Sequence, residues 1–98
     1  MANLGQIFLA ELIGTFIFLG VIMHVVSKKE DMAWIKIGLA LAVAILLLGS
    51  VSGGKYNPAV SFMFFVANKT PISQFIIEII AQFIAALAAL GLYYGVIN

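Results

Sequence analysis

The sequence predicts an all-α membrane protein: three transmembrane helices plus one re-entrant half-helix, forming one unit over residues 1–98. Three observations carry this expectation. Hydrophobic residues make up 64% of the chain and charged residues 9%, with a mean hydropathy of +1.20. These residues gather in runs long enough to cross a bilayer instead of alternating with polar ones. A polar decade, Ser52-Gly53-Gly54-Lys55-Tyr56-Asn57-Pro58-Ala59-Val60-Ser61, interrupts the apolar pattern near its middle. The apolar run behind it reaches only about half of the ~20 residues that a ~30 Å hydrocarbon core requires.

The first span is expected over residues 7–26, with Glu11, Gly14 and Thr15 near its start. Residues 1–6 lack the basic region of a signal peptide and no small-x-small cleavage site follows, so this run is expected to be retained as a helix. An ionisable side chain inside a span is costly, so Glu11 is expected to face the protein interior and to find a partner. Unpaired backbone N–H groups of a re-entrant loop would serve. The alternative places Glu11 close enough to the interface to be solvated. Gly14 and Gly20 suit close helix approach, and His24 is expected at the interfacial end with no assigned role.

Ser27-Lys28-Lys29-Glu30-Asp31 is the one dense charge cluster and is expected to be a solvated connection. The second span follows over residues 33–50, with Trp34 as an interfacial anchor. Gly38 and Ala42 stand one turn apart and are expected to pack against a neighbouring helix. Asn68-Lys69-Thr70-Pro71 returns the chain to water, with Thr70 as the expected N-cap and Pro71 as the first helical residue of a span over residues 71–96. There Ala81, Ala85 and Ala89 recur at i+4, joined by Gly91 and Gly95, and this face is expected to be a helix contact surface. Tyr93 and Tyr94 are expected at the same membrane face as Trp34. Glu78 and Gln82 lie one turn apart, where they either line an aqueous path or support the loop by hydrogen bonding.

The central loop and half-helix cover residues 51–67. Asn57 is the expected N-cap and Pro58 the first helical residue, a position where the missing N–H costs nothing. The helix following Asn57 carries no charge through Val66, unlike an interfacial helix with a basic face. Its N-terminus is therefore expected near the bilayer midplane. Irregular backbone survives at that depth only when protein buries it or it borders a water-filled cavity. The alternative is an ordinary loop between spans, with the half-helix on the membrane surface.

Composition excludes several classes. A net charge of +1 and the absence of arginine give no reason to expect a nucleic-acid partner. With no cysteine and a single histidine, neither a disulfide framework nor a metal-ligand spacing is present. No nucleophile–base arrangement and no nucleotide-binding glycine motif occurs, so no catalytic residue, no cofactor and no enzymatic activity is expected.

Three stretches in order resemble signatures of the aquaporin, or major intrinsic protein, family: Ala10-Glu11-Leu12-Ile13-Gly14-Thr15-Phe16, the Ser52–Ser61 decade with its Asn57-Pro58-Ala59, and Ala81-Gln82. The resemblance covers the whole chain and likens it to one of that family's two repeats. It implies a multi-pass channel for water or small uncharged solutes such as glycerol. Asn57 would donate to a passing oxygen, and the carbonyls of Gly53, Gly54 and Lys55 would accept. Glu11 and Gln82 would support the loop. Lys55 departs from the family's usual histidine, Glu78 from an aromatic or apolar residue, and Ala85 from a glycine. The second repeat is absent on this reading, and with it the arginine after its Asn-Pro-Ala. The positions aligned with the family's constriction are Ile37, Ile45 and Val60.

Three spans and a half-span cannot enclose a pore alone. The family's inverted halves imply an antiparallel homodimer of this chain, itself open to further assembly, embedded in lipid and passing neutral solutes. Lysines near the span ends set orientation. Lys28, Lys29 and Lys36 on one face stand against Lys55, Lys69 and the terminal amine on the other, so dual insertion is expected. Two other readings compete. One is a dual-topology, proton-coupled transporter using Glu11; the other is a non-conducting assembly subunit.

Overall fold

A computed structural model describes residues 1–98. Four α-helices follow in order: α1 (Leu4–Ser27), α2 (Ala33–Ser52), α3 (Pro58–Val66) and α4 (Ile72–Leu92), the last continuing into a π-helical turn over Tyr93–Ile97. Helices α1, α2 and α4 with its continuation are each long and apolar enough to cross a membrane. Helix α3, at nine residues, rises only ~13 Å and cannot.

Helix α1 starts at Leu4, ahead of the expected position 7, because Asn3 and Gln6 close a capping box. The Asn3 side chain accepts from the Gln6 N–H at 2.8 Å, and the Gln6 side chain accepts from the Asn3 N–H at 2.9 Å. The connection to α2 is short and folded on itself, with Lys29 and Met32 in left-handed conformations. Glu30 bonds His24 of α1 at 2.9 Å and accepts from Lys36 of α2 at 2.8 Å. His24 thus acquires a partner that its position in the sequence did not suggest.

The start of α4 differs from expectation. Pro71 is the N-cap and Ile72 the first helical residue, and no side chain caps the helix. Pro71 has ψ 156°, which is extended, while its carbonyl already accepts from Phe75. Thr70 is buried beneath the turn.

Helix α1 packs against both α2 and α4, and α3 packs against α4. Small residues form these contacts: Ala10 and Gly14 of α1, Ala40 and Ala44 of α2, and Ala81, Ala85 and Ala89 of α4 are all buried. The expected small pairs Gly38/Ala42 and Gly91/Gly95 instead lie on exposed faces, and Gly20, Gly38, Gly91 and Gly95 have no neighbour near a would-be Cβ. Residues two positions from a contact face point some 160° away from it over that interval, at ~100° per residue. The tyrosine pair also divides. Tyr93 is buried beneath the Lys28 ammonium, 5.8 Å from its ring centroid, while Tyr94 remains exposed.

Small apolar residues and a set of polar side chains share the interior, and the exterior is apolar. Among the buried residues are Glu11, Thr15, Ser52, Ser61, Thr70, Glu78 and Gln82, whereas Trp34, Leu46 and Leu87 are more than two-thirds exposed. With a long axis of 39 Å, the molecule is matched to a bilayer, where large apolar side chains face lipid and polar groups must be satisfied internally.

Candidate pore loop and its supports

Helix α2 ends where Gly53 adopts φ +94°, and its N–H caps the helix by donating to the Gly49 carbonyl at 2.8 Å. Gly54 at φ +67° and Tyr56 at φ +51° continue the left-handed path, so the backbone turns sharply and presents successive N–H groups inward. These amides would be orphans inside a membrane. The side chain of Glu11 receives them.

Glu11 is fully buried and accepts four hydrogen bonds. Its Oε2 takes Ser52 Oγ at 2.6 Å and the Lys55 N–H at 3.2 Å. Its Oε1 takes the Tyr56 N–H at 2.8 Å and Gln82 Nε2 at 3.1 Å. Each carboxylate oxygen has two donors, and no ammonium is among them. Charge-assisted bonds of this kind offset the loss of hydration that makes a buried carboxylate costly. Gln82 extends the network by donating to Ser61 Oγ of α3 at 2.8 Å, and Ser52 Oγ also accepts from the Gly54 N–H at 3.3 Å. Gln82 thus reaches the loop only through Glu11, and it also borders the pocket at Asn57.

Tyr56 supplies a third support. Its hydroxyl donates to the Ala44 carbonyl at 2.8 Å, and its ring fills the notch at Gly14. A Cβ on Gly14 would stand 2.1 Å from the nearest ring atom, so only glycine fits there. Lys55 supplies a fourth, through an ion pair to Glu78 Oε2 at 2.6 Å with side chains 8% and 0% exposed. Its ammonium also lies 5.6 Å from the Phe64 ring centroid. Gln74 donates to the same Glu78 oxygen at 2.9 Å. Sequence reasoning left Glu78 without an assignment and gave no role to Ser52, Ser61 or the side chain of Tyr56. The available signal was Gly14, three residues from Glu11 and therefore on the same helix face.

Asn57 is exposed at the loop's tip. Its Oδ1 caps α3 by accepting from the Ala59 N–H at 2.8 Å, which leaves the Nδ2 hydrogens for another acceptor. Pro58 opens the helix and Ala59 is exposed beside it. A pocket of about 240 Å³ between α1 and α4 is bordered by Thr15, Tyr56, Asn57, Pro58, Gln82 and Phe83. Thr15 Oγ1 and Gln82 Oε1 are buried without a hydrogen-bond partner.

Of the aligned constriction positions, Ile45 lies against the loop, its Cγ1 3.2 Å from a would-be Cβ on Gly54. Ile37 and Val60 are half-buried. None of these three side chains borders the pocket at Asn57. No group of three or more His, Asp or Glu side chains could hold a metal ion.

A family model described as "Major intrinsic protein" matches residues 1–98. The chain is 38% identical over 85 residues to the glycerol uptake facilitator protein-like 6 of Lactiplantibacillus plantarum, covering 84% of this chain and 39% of that protein. It is 35% identical over 91 residues to human aquaporin-5, covering 91% of this chain and 34% of that protein. The lens fiber major intrinsic protein of Gallus gallus is 41% identical over 59 residues, covering 60% of this chain and 22% of that protein. The chain thus spans between a fifth and two-fifths of the length of these relatives. No solved structure matches it significantly.

Proposed function

This chain belongs to the major intrinsic protein family and is a multi-pass integral membrane protein, and from that premise we propose that it builds half of a passive pore for water and small uncharged solutes such as glycerol. One observation carries the reading. A nine-residue half-helix begins at an exposed Asn57 whose Oδ1 is used as a cap, behind a loop tied to α1, α2 and α4 by buried side chains. In this reading Asn57 Nδ2 donates to a passing oxygen. The carbonyls of Gly53, Gly54 and Lys55 accept from it, and the positive end of the α3 dipole opposes cations. Ile37, Ile45 and Val60 form an apolar constriction with their counterparts from a second half, wide enough for glycerol.

The second half is a second copy inserted in the opposite orientation. The loop tip, exposed at Asn57, calls for protein on a side that one chain leaves open. The burial of Lys55 in its ion pair leaves Lys28, Lys29 and Lys36 against Lys69 and the terminal amine, a weak bias compatible with both orientations. The proton-coupled alternative finds no support in the wiring of Glu11. Its donors are two backbone amides, a hydroxyl and a side-chain amide, with no second titratable group to pass a proton onward.

The test is osmotic and glycerol permeability of lipid vesicles containing the purified chain, compared with Asn57→Leu. Conduction lost in a folded Asn57→Leu variant is the expected result. Equal permeability in both removes Asn57 from the pore, and permeability no greater than that of empty vesicles favours the assembly-subunit reading.

A further inference from the structure

The two buried carboxylates of this chain are satisfied unequally. Both oxygens of Glu11 take two donors each, a finished structural site. Glu78 is equally buried, yet Lys55 Nζ and Gln74 Nε2 both bind its Oε2, and its Oε1 has no partner. A half-satisfied buried carboxylate calls for a physical reason, and its cationic partner belongs to the loop itself.

We infer that the Lys55–Glu78 pair is a positioning element for solute selectivity, fixing the loop's carbonyl row against α4 and holding the ammonium off the permeation path. This rests on the channel reading above. Lys55 is gripped twice: its N–H by Glu11 on α1, and its side chain by Glu78 on α4. Its own carbonyl and those of Gly53 and Gly54 lie in the segment between these grips and the left-handed turn at Gly53. Glycine offers little rotational restraint there, so the orientation of the row depends on the anchors flanking it. Paired Nζ lies 3.8 Å from a would-be Cβ on Gly53, so the ammonium stands close to the loop backbone and Glu78 decides which way its charge is directed. In the pair that charge is held by Glu78 and covered by the Phe64 ring.

A polyol needs several acceptors in register, because its hydroxyls must exchange water for protein one after another. A single water can reorient at each step. Loosening the row therefore penalises glycerol more than water. Removing one member alone would strand a buried charge and threaten folding, so the decisive variant removes both: Lys55→Met with Glu78→Leu. The purified double variant and the native chain are compared in lipid vesicles for water and glycerol permeability, with helix content and thermal unfolding measured on the same samples.

The expected result is a folded double variant whose glycerol-to-water permeability ratio falls by about threefold or more. An unchanged ratio in a folded variant overturns the inference, because a purely structural pair would lower both permeabilities together. Should the double variant not fold, Glu78→Asp retains the charge and withdraws its reach by one methylene. A fallen ratio there supports the inference and an unchanged one overturns it. Native vesicles without water permeability would remove the channel reading itself, an outcome visible before any variant is made.

Discussion

At the scale of single residues, the chain depends on a few side chains that replace water for the loop backbone. Glu11→Gln retains one acceptor oxygen but points an amide at Ser52 Oγ and the Lys55 N–H or at their counterparts. Roughly 1–3 kcal/mol of stability should be lost for each buried group left unsatisfied. Glu11→Leu strands the Lys55 and Tyr56 amides together and should lose more, on the order of twice that. Thermal unfolding in detergent checks the order native, Gln, Leu. Gly14→Ala should cost at least the ~1–3 kcal/mol typical of overpacking, because its Cβ would penetrate the Tyr56 ring. Tyr56→Phe, which loses only the bond to the Ala44 carbonyl, should cost about 1 kcal/mol. A Gly14→Ala variant as stable as the Tyr56→Phe variant would show that the notch can open. The inward Glu11 was legible in the sequence, since a carboxylate in a span has few places to go. The Lys55–Glu78 pair was not, because 23 residues separate its members and only the folded loop brings them together.

At the scale of elements, the helices were legible and their faces largely were not. Runs of apolar residues mark where a span lies, but a helix hydrophobic all round carries no sign of which side packs. Gly38/Ala42 and Ala40/Ala44 offer the same small-residue spacing, and only the fold selects the second pair. Half-helix α3 was legible from its length and from Asn57-Pro58. Its two uses of Asn57 can be separated. Asn57→Asp keeps an acceptor for the Ala59 N–H, so α3 should keep its cap, while the Nδ2 donor is lost and a negative charge enters. Native-like helix content with strongly reduced water permeability is the expected outcome; full permeability would assign no donor role to Asn57. The α1–α2 connection has a pH dependence of its own. The Lys36 ammonium, aided by His24, holds the half-buried Glu30 carboxyl below its ordinary value against the opposing effect of desolvation. A depressed carboxyl contributes stability above the unfolded pKa and loses it as pH falls through the folded one. The clasp should persist at neutral pH and open only below the usual glutamate range, which an NMR titration of the Glu30 carboxyl would follow.

At the scale of the whole molecule, buried polar side chains and an apolar exterior describe a membrane protein whose loop tip, at Asn57, is left exposed. The sequence indicated that one repeat cannot enclose a pore. It could not indicate where Ile37, Ile45 and Val60 would meet, since within one chain none of them borders the pocket at Asn57. In the proposed antiparallel assembly, Val60→Arg should lower glycerol permeability more than water permeability, because it would narrow and charge the proposed apolar constriction. Equal effects on both solutes would place Val60 away from the narrowest point. The central claim is that copies of this chain, inserted both ways, make a conducting pore. Its most direct measurement is osmotic water permeability of vesicles containing this chain alone, prepared once with mixed orientations and once with copies forced into a single orientation by added N-terminal lysines. The account predicts conduction from the mixed vesicles, its loss in the single-orientation ones, and its return when an oppositely biased copy is added. Full conduction from copies in one orientation would contradict it.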